Sequence, residues 1–107
     1  MNDRELLEAA AKAAGMDVVH MALSGFNIVS GPRVGLWNPL TDDGDALRLA
    51  VKLEIDLHFY KGHEVDALFD GRRRSCSEPW GQDGMAAARR AIVCAAAKTS
   101  VNGEESA

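Results

Sequence analysis

The sequence predicts an α+β domain in which three helices are layered with a short, largely antiparallel sheet of four to five strands. Three observations carry that prediction. Apolar residues recur at helical spacing near both ends of the chain, at Leu6, Leu7, Ala10, Ala13 and Ala14 and again at Met85, Ala88, Ile92, Ala95 and Ala96. Between them, Ile55–Tyr60 and His63–Asp70 alternate strictly, as half-buried strands do. Glycine-containing turn signals, Ser24-Gly25, Lys61-Gly62 and Asp70-Gly71, separate the candidate strands. With 107 residues, 47% apolar and 26% charged, the chain reads as one domain with one core, over residues 1–100, followed by a polar, flexible tail at 101–107.

The first helix takes Asn2 or Asp3 as its cap, Glu5 as the capping-box acid and Gly15 as its left-handed stop. Val18–Leu23 is apolar on both faces, which suits a strand covered on both sides, and Phe26–Val29 returns beside it. Gly31-Pro32 ends that strand because proline cannot donate to a ladder. Gly35–Leu40 reads as a loop, with Trp37 folding over the helix that follows. The second helix opens at Thr41 or Asp42, and its acids Asp43 and Asp45 suit the positive end of the helix dipole. From Asp45 to Leu53 its only polar residues are Asp45, Arg48 and Lys52, so the spacing predicts the most enclosed of the three helices. Asp56, His58 and Tyr60 share one face of the next strand, which places it at an edge or leaves one face wet. A short strand over Arg72–Glu78 ends at Pro79, and the last helix runs from Gln82 or Asp83 to about Thr99. The predicted order is α-β-β-α-β-β-α, with no internal repeat.

Charge and cysteine content narrow the function classes. The net charge of −4 argues against general affinity for nucleic acid, yet basic residues gather late in the chain, at Arg72, Arg73, Arg74, Arg89, Arg90 and Lys98. The two cysteines, Cys76 and Cys94, are too few for a disulfide scaffold and read as reduced thiols, although a strand facing a helix would let them pair. The acidic start lacks the pattern of an export signal, and no apolar run reaches membrane-spanning length. The expectation is a soluble, intracellular-type protein with no membrane partner.

Candidate chemistry is sparse. The Asp42-Asp43-Gly44-Asp45 run has the wrong spacing for a calcium loop, and helix capping accounts for its acids. His20, His58 and His63 show no metal-ligand spacing, and neither cysteine forms a Cys-x-x-Cys pair. His58 beside Asp56 could act as a base, but no nucleophile accompanies it. No catalytic residue, metal site or cofactor is therefore assigned. Arg72, Arg73 and Arg74 at a hairpin, extended by Arg89 and Arg90 if the last helix packs beside it, form the candidate partner surface, with Trp80 as a partly exposed aromatic. The competing account of the three hairpin arginines is a solvated tip that discourages edge pairing.

The segment Trp37-Asn38-Pro39-Leu40-Thr41-Asp42-Asp43-Gly44-Asp45-Ala46-Leu47-Arg48-Leu49-Ala50-Val51 resembles a signature of small phage and prophage proteins. The opening Leu6-Leu7-Glu8-Ala9-Ala10-Ala11-Lys12-Ala13-Ala14-Gly15 and the closing Ala87-Ala88-Arg89-Arg90-Ala91-Ile92-Val93 are similar to the ends of the same proteins, grouped as phage ABA-sandwich domains. Residues 61–80 carry no part of the likeness. The resemblance implies helix–sheet–helix layering and a phage-encoded protein of a virion or an infected cell, and it implies no activity. The resulting expectation is a non-enzymatic accessory protein that binds a host or phage protein. The alternatives are weak nucleic-acid binding through the arginines, an enzyme or metalloprotein built on His58 and Asp56 or on Asp42–Asp45, and self-association through Trp80 and a sheet edge.

Overall fold

In the computed structural model, which describes the backbone of residues 2–21, 25–30 and 35–106, the chain begins with the capped helix its sequence dictates. Asn2 accepts a hydrogen bond from the Glu5 amide at 2.8 Å while Glu5 reaches back to the Asn2 amide, starting α1 (Asp3–Ala13). Strands β1 (Asp17–Met21), β2 (Gly25–Ser30) and β3 (Gly35–Trp37) follow, then α2 (Asp43–Lys52). Strands β4 (Asp56–Tyr60), β5 (Glu64–Phe69) and β6 (Arg74–Pro79) come next, and α3 (Gly84–Ser106) closes the order. Each trio forms its own antiparallel meander, β1-β2-β3 and β4-β5-β6.

The α+β class therefore holds, but the predicted single sheet of four to five strands does not. The described residues form six strands in two three-stranded sheets. The loop expected at Gly35–Leu40 contains β3, whose three residues pair with Phe26–Ile28. So short a strand leaves no alternation to read; its partner defines it. The predicted ABA layering changes accordingly, since the helical layer meets the first sheet through α1 and α2 and the second through α3. Helix α3 continues to Ser106, where the sequence placed a polar tail. The end of the expected Val18–Leu23 strand, Ser24 of the first turn signal and Gly31-Pro32 lie outside the described residues.

A repeat that composition hides becomes visible in the geometry. Asn2 and Asp42 stand forty positions apart, and each caps its helix by accepting from the amide three residues on. Asp3, Leu7, Ala10 and Lys12 of α1 recur as Asp43, Leu47, Ala50 and Lys52 of α2. Both helices end with the same backbone bond, Met16 amide to Ala11 carbonyl and Ile55 amide to Ala50 carbonyl. The first hairpin pairs Val18 with Ile28 and the second pairs Leu57 with Ala67, the same register thirty-nine positions later. Pro39…Asp43-Gly44 before α2 returns as Pro79…Asp83-Gly84 before α3. The chain is thus helix and meander, helix and meander, and a closing helix.

That closing helix is the enclosed one. Ala87, Ala91, Ile92, Val93, Ala95, Ala96 and Ala97 are all buried, which between 91 and 97 covers most of the circumference and leaves only the half-buried Cys94 side partly open. Small side chains let α3 pack against α1, α2, β5 and β6 at once. Met85, expected on its packing face, is instead 57% exposed. Helix α2, expected to be the most enclosed, leaves Leu47 and Val51 at 62% and 70% exposure. An apolar circumference records a capacity for burial and does not specify what covers it.

The start of α3 is fixed by Trp80, whose ring lies across Gly84. A Cβ at Gly84 would stand 2.5 Å from Trp80 Cζ2, closer than nonbonded carbons approach. Gly84→Ala should therefore destabilise the fold by about 1–3 kcal/mol through forced displacement of Trp80, read as a lower urea midpoint. An unchanged midpoint would mean that Trp80 is not packed there.

Candidate functional site

The site with the most unspent surface lies between α2 and the first sheet. Strand β3 delivers Trp37 into the core at 3% exposure, and the Asn38-Pro39 turn then aims the chain into α2. Asp42 caps α2 by accepting from the Asp45 amide at 2.8 Å. Asp45, buried at 5%, turns back to accept from the Asn38 amide at 3.0 Å and from Arg48 Nη2 at 2.7 Å. Pinned in this way, α2 leaves an open groove of about 680 Å³ beside the first sheet. Ile28, Trp37 and Leu49, none more than 3% exposed, form its floor, Met16 is half-buried at its side, and Leu47 and Val51 line the helix side with exposed methyl groups. Among the described lining residues Arg48 and Lys52, one turn apart, are the cations and Asp45 the one carboxylate; Arg48 bonds to Asp45 and stands 3.9 Å from Asp42. The groove is predominantly apolar, and concave apolar sites of this volume are where ligands and partner side chains are held.

The sequence-predicted basic surface is largely committed inside the molecule. Arg72 and Arg73 occupy the turn after β5, and β6 starts at Arg74 rather than at Arg72. Arg72, at φ +68°, donates to Asp56 at 2.7 Å. Arg74 lies over the Phe69 ring, 5.3 Å from its centre, and Arg73 is exposed. Arg89 and Arg90 clamp helix starts. Arg89 donates to the Leu40 carbonyl at 2.9 Å and to Asp43 at 2.6 Å, and Arg90 donates to Asp3 at 2.8 Å. Asp3 and Asp43 are equivalent positions of the repeat, so consecutive arginines of α3 hold the first turns of α1 and α2. Trp80 is half-buried against Gly84, and its amide donates to the His63 carbonyl at 2.9 Å.

The outer face of the second sheet gathers polar groups that alternation alone does not place together. Register sets His58, Asp66 and Ser77 in one row across β4, β5 and β6, with Tyr60 and Glu64 in the next. His58 stacks on Tyr60 at 4.4 Å between ring centres. The Glu64 carboxyl bonds to Asp66, and that bond and the charge of Asp66 raise its pKa. Asp66 is held below the usual range by the same bond and by Ser77. Asp66 Oδ1 is shut off from solvent and has no hydrogen-bond partner. The serine bonds to carboxylates rather than to an imidazole, so the row lacks the relay of a nucleophilic triad. Among the described residues no three His, Cys, Asp or Glu side chains could hold a metal ion together.

Cys76 and Cys94 are both free thiols. The Cys94 thiol donates to Glu78 at 3.5 Å, and burial with that carboxylate pushes its pKa up to about 11, so it stays protonated and unreactive. No described helix is long and apolar enough to cross a membrane.

The residues missed by sequence reasoning are Leu47 and Val51, and Glu64 with Ser77. The signal for the first pair was present as the surplus of apolar residues on α2, read there as burial inside this chain.

Two consequences can be measured. Asp45→Ala leaves the Asn38 amide and Arg48 without their shared acceptor, and should cost about 1–3 kcal/mol in chemical denaturation; no loss would show that Asp45 does not hold the loop onto α2. The acid pair on β5 gives a pH signature. Because the folded pKa of Glu64 is raised, its contribution is complete below the ordinary value of 4.5 and is lost as pH rises through the raised value. That of Asp66 is present above 3.8 and lost as pH falls through its depressed value. Glu64→Gln keeps a donor for Asp66 without the charge, so its stability should hold where that of the wild type declines as pH rises from 4.5 through the raised value. Parallel urea-midpoint curves for the two proteins would refute the coupling of Glu64 to Asp66.

Comparisons of this chain with protein-family models, with curated proteins and with solved structures return no match.

Proposed function

We propose that this chain is a binding module without catalytic chemistry of its own, and that it takes an apolar segment of another protein into the groove between α2 and the first sheet. One observation carries the reading. Leu47 and Val51 stay 62% and 70% exposed beside a predominantly apolar groove, whereas their repeat equivalents Leu7 and Ala11 are buried at 4% and 1% on a helix that packs chiefly against α3. The same helical stripe is thus covered on α1 and open on α2. Large apolar side chains clustered at a concavity mark interaction sites. Burying each of them fully is worth about 1.5–3 kcal/mol.

The likeness of residues 37–51 to small phage and prophage proteins supports a phage-encoded accessory protein working in the bacterial cytoplasm or in a virion, with a host or phage protein as partner. It is in that same stretch that the open stripe falls. Nucleic-acid binding is disfavoured because Arg72, Arg89 and Arg90 already bond to carboxylates and Arg74 covers a ring. A surface that binds phosphates needs several cations free to do so.

Affinity purification from infected or lysogenic cells tests the reading with paired variants. A partner retained by wild type and by Arg73→Ala but reduced about tenfold or more by Val51→Asp is the expected result. Retention by Val51→Asp with loss in Arg73→Ala would move the interface to the hairpin.

A further inference from the structure

We infer that the segment seated in this groove is an amphipathic helix of a partner protein, with acidic residues flanking its apolar stripe. The inference rests on the groove reading above and names the chemistry of its occupant.

The backbone argument selects a helix. An extended segment pressed into the groove would set its N–H and C=O groups against Leu47, Val51 and Met16, whose side chains can pair with neither. A helix satisfies those groups internally and presents only side chains. The molecule already uses this solution once, because the Leu7–Ala11 side of α1 is closed largely by a helix, α3. Leu47 and Val51 are four residues apart, so they offer one ridge along α2 to the i, i+3 and i+4 anchors of an incoming helix.

Charge selects the flank. Arg48 bonds to the buried Asp45 at 2.7 Å and stands 3.9 Å from Asp42, whereas Lys52 is exposed beside Val51. Among the described lining residues Asp45 is the one carboxylate against two cations, so this wall opposes the overall charge of −4. An acid on the incoming helix would meet Lys52, whereas a lysine there would be repelled.

The test uses the full chain and labelled, end-blocked peptides of about four helical turns. All share one leucine stripe; one set carries Glu on the flank, one Lys, and one has the Glu set's residues scrambled. Binding is followed by fluorescence anisotropy at low and half-molar salt. The expected result is binding of the Glu peptide about fivefold tighter than the Lys peptide at low salt, a gap that closes in high salt, and no binding of the scrambled sequence. Lys52→Glu should narrow or invert that preference, and Val51→Asp should abolish binding; both residues are exposed, so an unchanged thermal midpoint separates binding from folding. Equal binding of the Glu and Lys peptides would overturn the acidic flank and leave the groove standing. Binding unaffected by Val51→Asp, or no binding at all, would overturn both. Dimerisation of the wild type that Val51→Asp abolishes would assign the groove to a second copy instead.

Discussion

The burial of α3 is the constraint on which the rest depends. Its alanines leave so little side chain that two helices and two strands approach it together, and Ala91, Val93, Ala95 and Ala96 reach zero exposure. Close packing of this kind tolerates little change in volume. Orientation comes from charge. Arg89 and Arg90 are adjacent on one helix, yet they bond to the first turns of two different helices, Asp43 of α2 and Asp3 of α1. At 17% exposure, Arg89 also takes up the Leu40 carbonyl just before α2 begins. The position of α2, and therefore the width of the groove beneath it, follows from α3.

The repeat explains why one groove stays open. Two units of helix and meander have equivalent caps, equivalent helix ends and equivalent hairpin registers, but one long closing helix cannot cover both equally. Helix α3 lies against the second sheet and α1, and it reaches α2 without covering Leu47 and Val51. Asp45 then adds a second restraint, because a buried carboxylate bonded to the Asn38 amide fixes α2 at its amino end.

Most of the charged residues prove to be structural. The acids around the start of α2 cap it, anchor the preceding loop and receive Arg89. Of the five arginines expected to form a surface, Arg89 and Arg90 bond across to the starts of α2 and α1, while Arg72, Arg73 and Arg74 stay exposed, Arg72 paired with Asp56 and Arg74 over Phe69. On the outer face of the second sheet Glu64 and Asp66 shift each other's pKa in opposite directions, and among the described residues no metal-ligand set stands beside them. What the fold leaves unspent is apolar surface on α2 with Lys52 beside it.

Local signals read correctly because they act between neighbours in sequence. The capping box of α1, the Asp42 cap, the alternation of β5, the edge position of β4 and the folding-in of Trp37 are all legible from residues a few positions apart, whereas the alternation expected of β4 fails at Phe59, which is 54% exposed. The sequence by itself determined the helices, the two central hairpins and the α+β class. Only tertiary structure decided that the strands divide into two sheets, that β3 exists, and that the repeat is there to be seen. It also decided that α3 and not α2 is enclosed, since periodicity gives the face a helix can bury while the identity of its cover is set by residues far away in the chain. Leu47 and Leu7 occupy the same place in the repeat, and the physical difference between them is whether α3 lies across that place.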